Sequence, residues 1–167
     1  MYSNKTHEMK DFIAPKHIKR SSDPIGDTLT RIRNAYARRF DSLIVPKSNQ
    51  ICNLLDALVR SGYLLHYEDQ SEKTGRSHPV GRMKSNQSLY LTVFLKYYLG
   101  SPAILGIQRV SSPNKRIYMS KKDLSRYQKE KGQTKTMILS TSTGSLTSKE
   151  ILSSPKYMGG ESLCLVW

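Results

Sequence analysis

A chain of 167 residues can bury roughly two-thirds of its unfolded surface, so it needs neither disulfides nor a structural metal to fold. Its 27 Lys and Arg stand against 13 Asp and Glu, a net charge of +14 with a pI near 9.9, which points to a polyanionic partner, most commonly nucleic acid. The longest apolar run, Leu163–Trp167, is too short to span a bilayer, and neither Cys52 and Cys164 nor the scattered His7, His17, His66 and His78 have the spacing of a metal site.

Residues 1–22 carry Lys5, Lys10, Lys16, Lys19 and Arg20 against Glu8 and Asp11, with little hydrophobic periodicity, and read as a basic extension. The stretch lacks an apolar central region, so no secretory signal is expected. Asp23-Pro24 opens the first helix: Asp23 can cap free N–H groups, Pro24 suits the first helical position, and Asp27 suits the positive end of the dipole. Ile25, Leu29, Ile32 and Tyr36 recur at helical spacing as a core stripe. Asp27, Arg31, Asn34 and Arg38 fall on another face. That face is either solvated, with an Asp27–Arg31 pair, or turned toward a phosphate backbone.

Leu43-Ile44-Val45 reads as a short strand stopped by Pro46. Ser48 then caps a helix with the apolar face Ile51, Leu54, Leu55, Leu58 and Val59, and Gly62 ends it. Tyr63–Tyr67 follows as a strand. About 70–88 lies a Ser, Asn, Gln and Gly-rich basic insertion with Lys73, Arg76, Arg82 and Lys84. In the next strand, Leu89, Leu91, Val93 and Leu95 alternate with Tyr90, Thr92, Phe94 and Lys96. Gly100-Ser101-Pro102 breaks it and sets a boundary between halves 23–100 and 101–167.

The second half predicts a strand Ile104–Val110, the turn Ser112-Pro113-Asn114-Lys115, a short strand Arg116-Ile117-Tyr118 and a short helix Leu124–Lys131. From Arg109 to Lys135 nine Lys and Arg face two acids. A strand Thr136–Leu139 then delivers Ser140-Thr141-Ser142-Thr143-Gly144 as a loop. Seven of the nine residues from Ser140 to Ser148 carry hydroxyls and none is charged. Such hydroxyls can meet phosphate, 2′-OH or base edges, or they can satisfy nearby backbone groups only. Thr147–Leu152 predicts one or two helical turns. Gly159-Gly160-Glu161 turns the chain into a final strand, Ser162–Val166. The fold class expected from this order is α+β, in two small α/β halves. The first is a helix-strand-helix-strand-strand layer and the second is mostly β with short helices.

Asp23-Pro24-Ile25 with Leu29-Thr30-Arg31-Ile32-Arg33-Asn34, Leu95-Lys96-Tyr97, Ile107-Gln108-Arg109-Val110-Ser111, Arg116-Ile117-Tyr118, Ser140-Thr141-Ser142 with Gly144, and Gly159-Gly160-Glu161 occur in one order. In that order and spacing, over 23–69 and 89–167, the chain resembles the bacterial and organellar family of small ribosomal subunit protein eight. The resemblance implies a structural constituent of the small ribosomal subunit that binds the central domain of small-subunit rRNA and supports its assembly. Its partners would be that rRNA and neighbouring small-subunit proteins, with no membrane or small-molecule substrate. The implied RNA-contacting residues are Ser140, Thr141, Ser142, Tyr118, Gly160 and Glu161, with a secondary contact around Arg31 and Asn34.

Small hydroxyls suit the shallow groove of an RNA helix, Tyr118 can stack on an exposed base, and Glu161 can accept from a base amino group. Arg109, Lys115, Arg116, Lys121 and Lys122 would add salt-dependent affinity. Each has a plainer reading: Tyr118 in the core, Glu161 in an ion pair, the lysines solvated. The family pattern usually has Lys where this chain has Thr143, and its compact form has no counterpart of residues 1–22 or 70–88. These additions suggest a mitochondrial ribosome, ahead of the bacterial cytoplasm or a plastid. A free RNA-binding regulator or chaperone is the alternative. Enzymatic activity, a cofactor and a metal are not expected, because no nucleophile elbow, His–acid set or phosphate-cradling Gly-Lys-Ser/Thr loop is present.

Overall fold

A computed structural model describes residues 21–69, 90–131 and 134–167. The basic extension 1–22, but for its last two residues, and the insertion about 70–88 lie outside the described residues. The fold is α+β. Helix α1 (Pro24–Ala37) starts as its sequence dictates: Asp23 Oδ1 accepts from Gly26 N at 3.1 Å and Pro24 occupies the first turn. Its stripe of Ile25, Leu29, Ile32 and Tyr36 is buried. Strand β1 (Ser42–Pro46) follows, then α2 (Asn49–Arg60), where Ser48 Oγ accepts from Ile51 N at 3.3 Å. Gly62 ends that segment at φ +76, a conformation that costs a residue with a side chain about 1 kcal/mol or more.

Strands β2 (Leu64–Asp69) and β3 (Tyr90–Leu95) complete an antiparallel sheet in the order β1-β3-β2, with Ile44 opposite Thr92 and Tyr67 opposite Val93. Period-two alternation sends Leu91, Val93 and Leu95 to the face that both helices cover. The expected layer is therefore present. A two-residue hairpin comes next, β4 (Tyr97–Tyr98) and β5 (Ser101–Pro102), turning through Leu99 at φ +48 and Gly100 at φ +79. It spans the position where the sequence divides into halves.

The second half is built around its last strand. Strand β10 (Gly159–Val166) pairs with β6 (Ile107–Arg109), β7 (Tyr118–Ser120) and β8 (Thr136–Thr141), and β8 pairs in turn with β9 (Gly144–Thr147). All these pairings are antiparallel. Helices α3 (Lys121–Lys131) and α4 (Ser148–Ser153) cover one face, over a small core of Leu124, Met137, Leu139, Ile151 and Leu165. The opposite face contributes Ile107, Ile138, Leu163, Cys164 and Val166 to the larger core, which also holds Leu29, Val45, Leu54 and Val93 of the first half. Each of these fully buried aliphatic side chains is worth about 1.5–3 kcal/mol over exposure.

Several expected boundaries move: β1 keeps Pro46, opposite Tyr90, and β8 runs on past Leu139 to Thr141. The strand Ile104–Val110 shortens to Ile107–Arg109, because the amides of Leu105 and Gly106 both donate to Trp167 O instead of a ladder. The strand Arg116–Tyr118 slides to Tyr118–Ser120, where Gly159–Glu161 provides the partner. The short helix gains three residues at its start, since Ser120 and Asp123 cap it reciprocally: Ser120 Oγ accepts from Asp123 N at 3.3 Å and Ser120 N donates to Asp123 Oδ2 at 3.1 Å. Gly159 and Gly160 are already strand residues, not a turn ahead of one.

Candidate nucleic-acid interface

The hydroxyl-rich stretch is a hairpin and not a loop. Ser140 and Thr141 end β8, Ser142 and Thr143 make the turn, and Gly144 begins β9 at φ +119. Four of its hydroxyls, those of Thr141, Thr143, Thr147 and Ser148, serve the fold, and the Thr143 hydroxyl meets that of Thr141 at 3.1 Å. Thr141 Oγ1 donates to Gly144 O at 2.8 Å and accepts from Thr143 N at 3.3 Å, which locks the tip. Thr147 and Glu150 form a capping box on α4, and Ser148 Oγ accepts from Met137 N and from the Gln128 side chain. Among the described residues, no hydrogen bond engages the hydroxyl of Ser140, Ser142 or Ser145. The backbone-satisfying reading thus holds for part of the stretch and leaves these three serines uncommitted.

Registers bring the uncommitted groups together. Ser145 lies opposite Ser140, Ser140 opposite Glu161, and Glu161 opposite Tyr118, so one row crosses β9, β8, β10 and β7. Tyr118 is 68% exposed at one end of the row and is not a core residue. Glu161 sits low in the sheet and accepts from Arg116 Nη1 at 3.1 Å, while Arg116 stays well exposed. Each serine hydroxyl can donate or accept, the Glu161 carboxylate accepts, and the Tyr118 ring offers a face for stacking. Beside the row opens a cleft of about 210 Å³, also lined by Asp23, Gln50, Asn53 and Arg109.

Gly160 has a packing reason for its identity. A Cβ there would collide with the Ser140 carbonyl oxygen, and one on Gly159, at φ +133, would collide with that of Met119. The two glycines let β10 approach β7 and β8 closely enough to form the row.

The cations divide into committed and free. Arg109 turns inward, donating from Nη1 to Leu163 O at 3.1 Å, and its Nε lies 3.4 Å from Asp23 Oδ2 without a hydrogen bond. Lys121 Nζ donates to Ser154 O at 2.7 Å. Lys115 is exposed at the Ser112–Lys115 turn, next to Arg116. Arg31 and Asn34 stand apart from the row, along α1 at a second cleft shared with Arg38, Phe40 and Ile44. There Arg31 Nε donates to Asp27 Oδ2 at 2.7 Å, the pair expected from its spacing.

Sequence reasoning missed two arginines that hold the surface. Arg33 donates to Ile107 O from Nη2 at 2.7 Å, tying α1 to β6. Arg60, the last residue of α2, donates to Ser145 O at 2.8 Å and to Glu150 Oε1 at 3.2 Å, so it clamps β9 from behind. Burial pushes the Glu150 carboxyl up, but the Thr147 amide and hydroxyl and the Arg60 guanidinium outweigh it and hold the group below the ordinary range. Ser145 was also missed, although a two-residue turn after Thr141 places it opposite Ser140. Burial pushes the Cys164 thiol up to about 12 and raises that of the half-buried Cys52, so neither is an activated nucleophile. Among the described residues no group of His, Cys, Asp and Glu is placed to hold a metal, and no helix is long and apolar enough to cross a membrane.

Comparison with known proteins covers nearly the whole described fold. Residues 23–167 match the family model for Ribosomal protein S8. Small ribosomal subunit protein uS8 of Granulibacter bethesdensis is 39% identical over 146 residues, spanning 87% of this chain and 98% of that protein. The uS8 proteins of Ruegeria pomeroyi and Dictyoglomus thermophilum are 37% and 36% identical, over 87% of this chain and 99% and 98% of theirs.

Proposed function

Because the chain belongs to the ribosomal protein S8 family, we propose that it is a structural component of the small ribosomal subunit, bound to the central domain of small-subunit rRNA. One observation carries this reading: the row Ser140–Glu161–Tyr118, backed by the buried Ser145, with an uncommitted hydroxyl, one shielded acceptor and one exposed ring. A-form RNA is read through its shallow groove, its 2′-OH groups and its unpaired bases, and small donors on a flat sheet can reach all three. Ser140 and Ser142 meet the groove, Tyr118 stacks on an unpaired base, and Glu161, positioned by Arg116, accepts from a base amino group. Lys115 supplies phosphate contact and the α1 residues Arg31 and Asn34 a secondary one. Neighbouring small-subunit proteins complete its partners, and its work is assembly and scaffolding with no chemical step.

The mitochondrial ribosome is the proposed setting, on the strength of the basic additions 1–22 and about 70–88 to the family's compact form. Crosslinking in native extract followed by sequencing of the bound RNA tests both parts. A dominant peak in central-domain rRNA is expected, and its genome of origin names the compartment. A broad spread across messages would instead support a free regulator. With purified protein, Tyr118→Ala should weaken binding to the cognate rRNA helix by about 1–3 kcal/mol, the range of a base–aromatic stack. Ser142→Ala should weaken it by about 1 kcal/mol with the fold intact. Unchanged affinity would remove that residue from the contact.

A further inference from the structure

The β4–β5 hairpin presents apolar surface for which the fold has no use. Alternation points Tyr97 inward, where its phenol donates to Phe40 O at 2.7 Å and its ring meets Tyr36 edge-on at 5.6 Å. The Ala103 amide closes the base of the hairpin on Lys96 O at 3.0 Å. Tyr98 and Leu99 therefore point away on an anchored tip and are 73% and 89% exposed. Leu99 holds φ +48, a backbone region that suits Gly or Asn and not a bulky side chain. A leucine that is both strained and exposed does nothing for this fold.

We infer that this tip is a docking knob, with Tyr98 and Leu99 inserting into an uncharged apolar pocket on a neighbouring protein of the small subunit. The inference rests on the ribosomal reading above. Charge selects protein over RNA as the occupant. From Tyr97 to Gln108 no residue is charged, in a chain with 27 Lys and Arg, and the charges that act on Tyr97 from the neighbouring segment, Arg39 and Asp41, are of opposite sign. The nearest preceding cation, Lys96, runs back toward Gly62. RNA contacts draw their affinity from phosphate neutralisation, and the exposed ring of Tyr118 does have Lys115 and Arg116 beside it in sequence. Tyr98 has only leucine, glycine, serine and proline following it, the surroundings of an aromatic anchor in the desolvated centre of a protein interface.

The test places a photoreactive benzophenone amino acid at position 99 of the full-length chain, in the cells that make it. Small subunits are purified after irradiation. The expected product is a crosslink to one small-subunit protein, mapped to a segment without charged side chains. A crosslink to rRNA, a crosslink within the chain itself, or none at all from chains seated in the subunit would overturn the inference. Absence of the chain from small subunits would instead overturn the ribosomal reading on which it rests. Leu99→Asn gives an independent arm, because Asn suits the backbone and removes only the knob. Its melting temperature should not fall and its affinity for isolated central-domain rRNA should stay within about twofold. Retention on subunits washed at high salt, which weakens the phosphate contacts, should fall at least about fivefold. Unchanged retention would count against the knob.

Discussion

The β4–β5 and β8–β9 hairpins share one construction, a two-residue turn between antiparallel strands without a charge, yet they present opposite chemistry. The β8–β9 tip is relaxed: Gly144 takes the unusual backbone angle and the Thr141 hydroxyl ties the turn to itself. What is left over at the surface is polar, the hydroxyls of Ser140 and Ser142. In β4–β5 the unusual angle falls on Leu99, no polar group closes the tip, and what is left over is apolar. The groups a tight turn does not consume reveal what it is built to meet. On the proposed reading one hairpin meets RNA and the other protein.

The most severe way to break the contrast is to spoil the spacing behind the polar hairpin. Gly160→Val drives a side chain into the Ser140 carbonyl, so the fold should lose about 2–3 kcal/mol in a denaturant titration, with rRNA binding falling alongside. Native stability in this variant would mean that β10 and β8 do not need their close approach. Arg60→Ala removes the clamp on β9. Because Arg60 is about half exposed, the expected loss is about 1 kcal/mol, visible as a lower midpoint with an unchanged slope.

Thr143→Lys sharpens the contrast by restoring the cation that the family usually carries at this tip. The log–log salt dependence of rRNA binding should steepen by about one phosphate contact, while stability changes by only a few tenths of a kcal/mol. An unchanged slope would put position 143 away from the backbone. The smallest effect is in acid. Glu150 has a folded pKa below its ordinary 4.5, so its contribution is present above that pH and is lost as pH falls through the lowered value. Glu150→Gln should therefore flatten the acid limb of a thermal-stability profile, and an identical limb would remove the carboxylate from the clamp.

Local chemistry made much of the fold legible. Asp23-Pro24 and Ser48 fix the starts of α1 and α2 because a cap acts within three residues of itself, and the apolar stripes behind them choose the buried faces. The strand over Tyr118–Ser120 was displaced because its partner lies some forty residues further on, and register is a property of the pair. The same distance concealed the row: Ser140 and Tyr118 are neighbours only through Glu161. The arginines resisted reading for another reason. Arg33, Arg60 and Arg109 find backbone carbonyls that any residue type can supply, so no pattern in the sequence separates these struts from the solvated Lys115.

The place of β10 carries a consequence for how the molecule is made. The strand at the centre of the second sheet leaves the translating ribosome after every strand it pairs with, and Leu163, Cys164 and Val166 also complete the core shared with the first half. Glu161, the middle of the polar row, arrives with it. A nascent chain halted before residue 159 holds every serine of the hairpin yet has no strand to join them to Tyr118, so the row on which the proposed RNA contact rests is incomplete. Emergence of β10 thereby becomes the condition for forming the row, enforced by topology with no separate inspector.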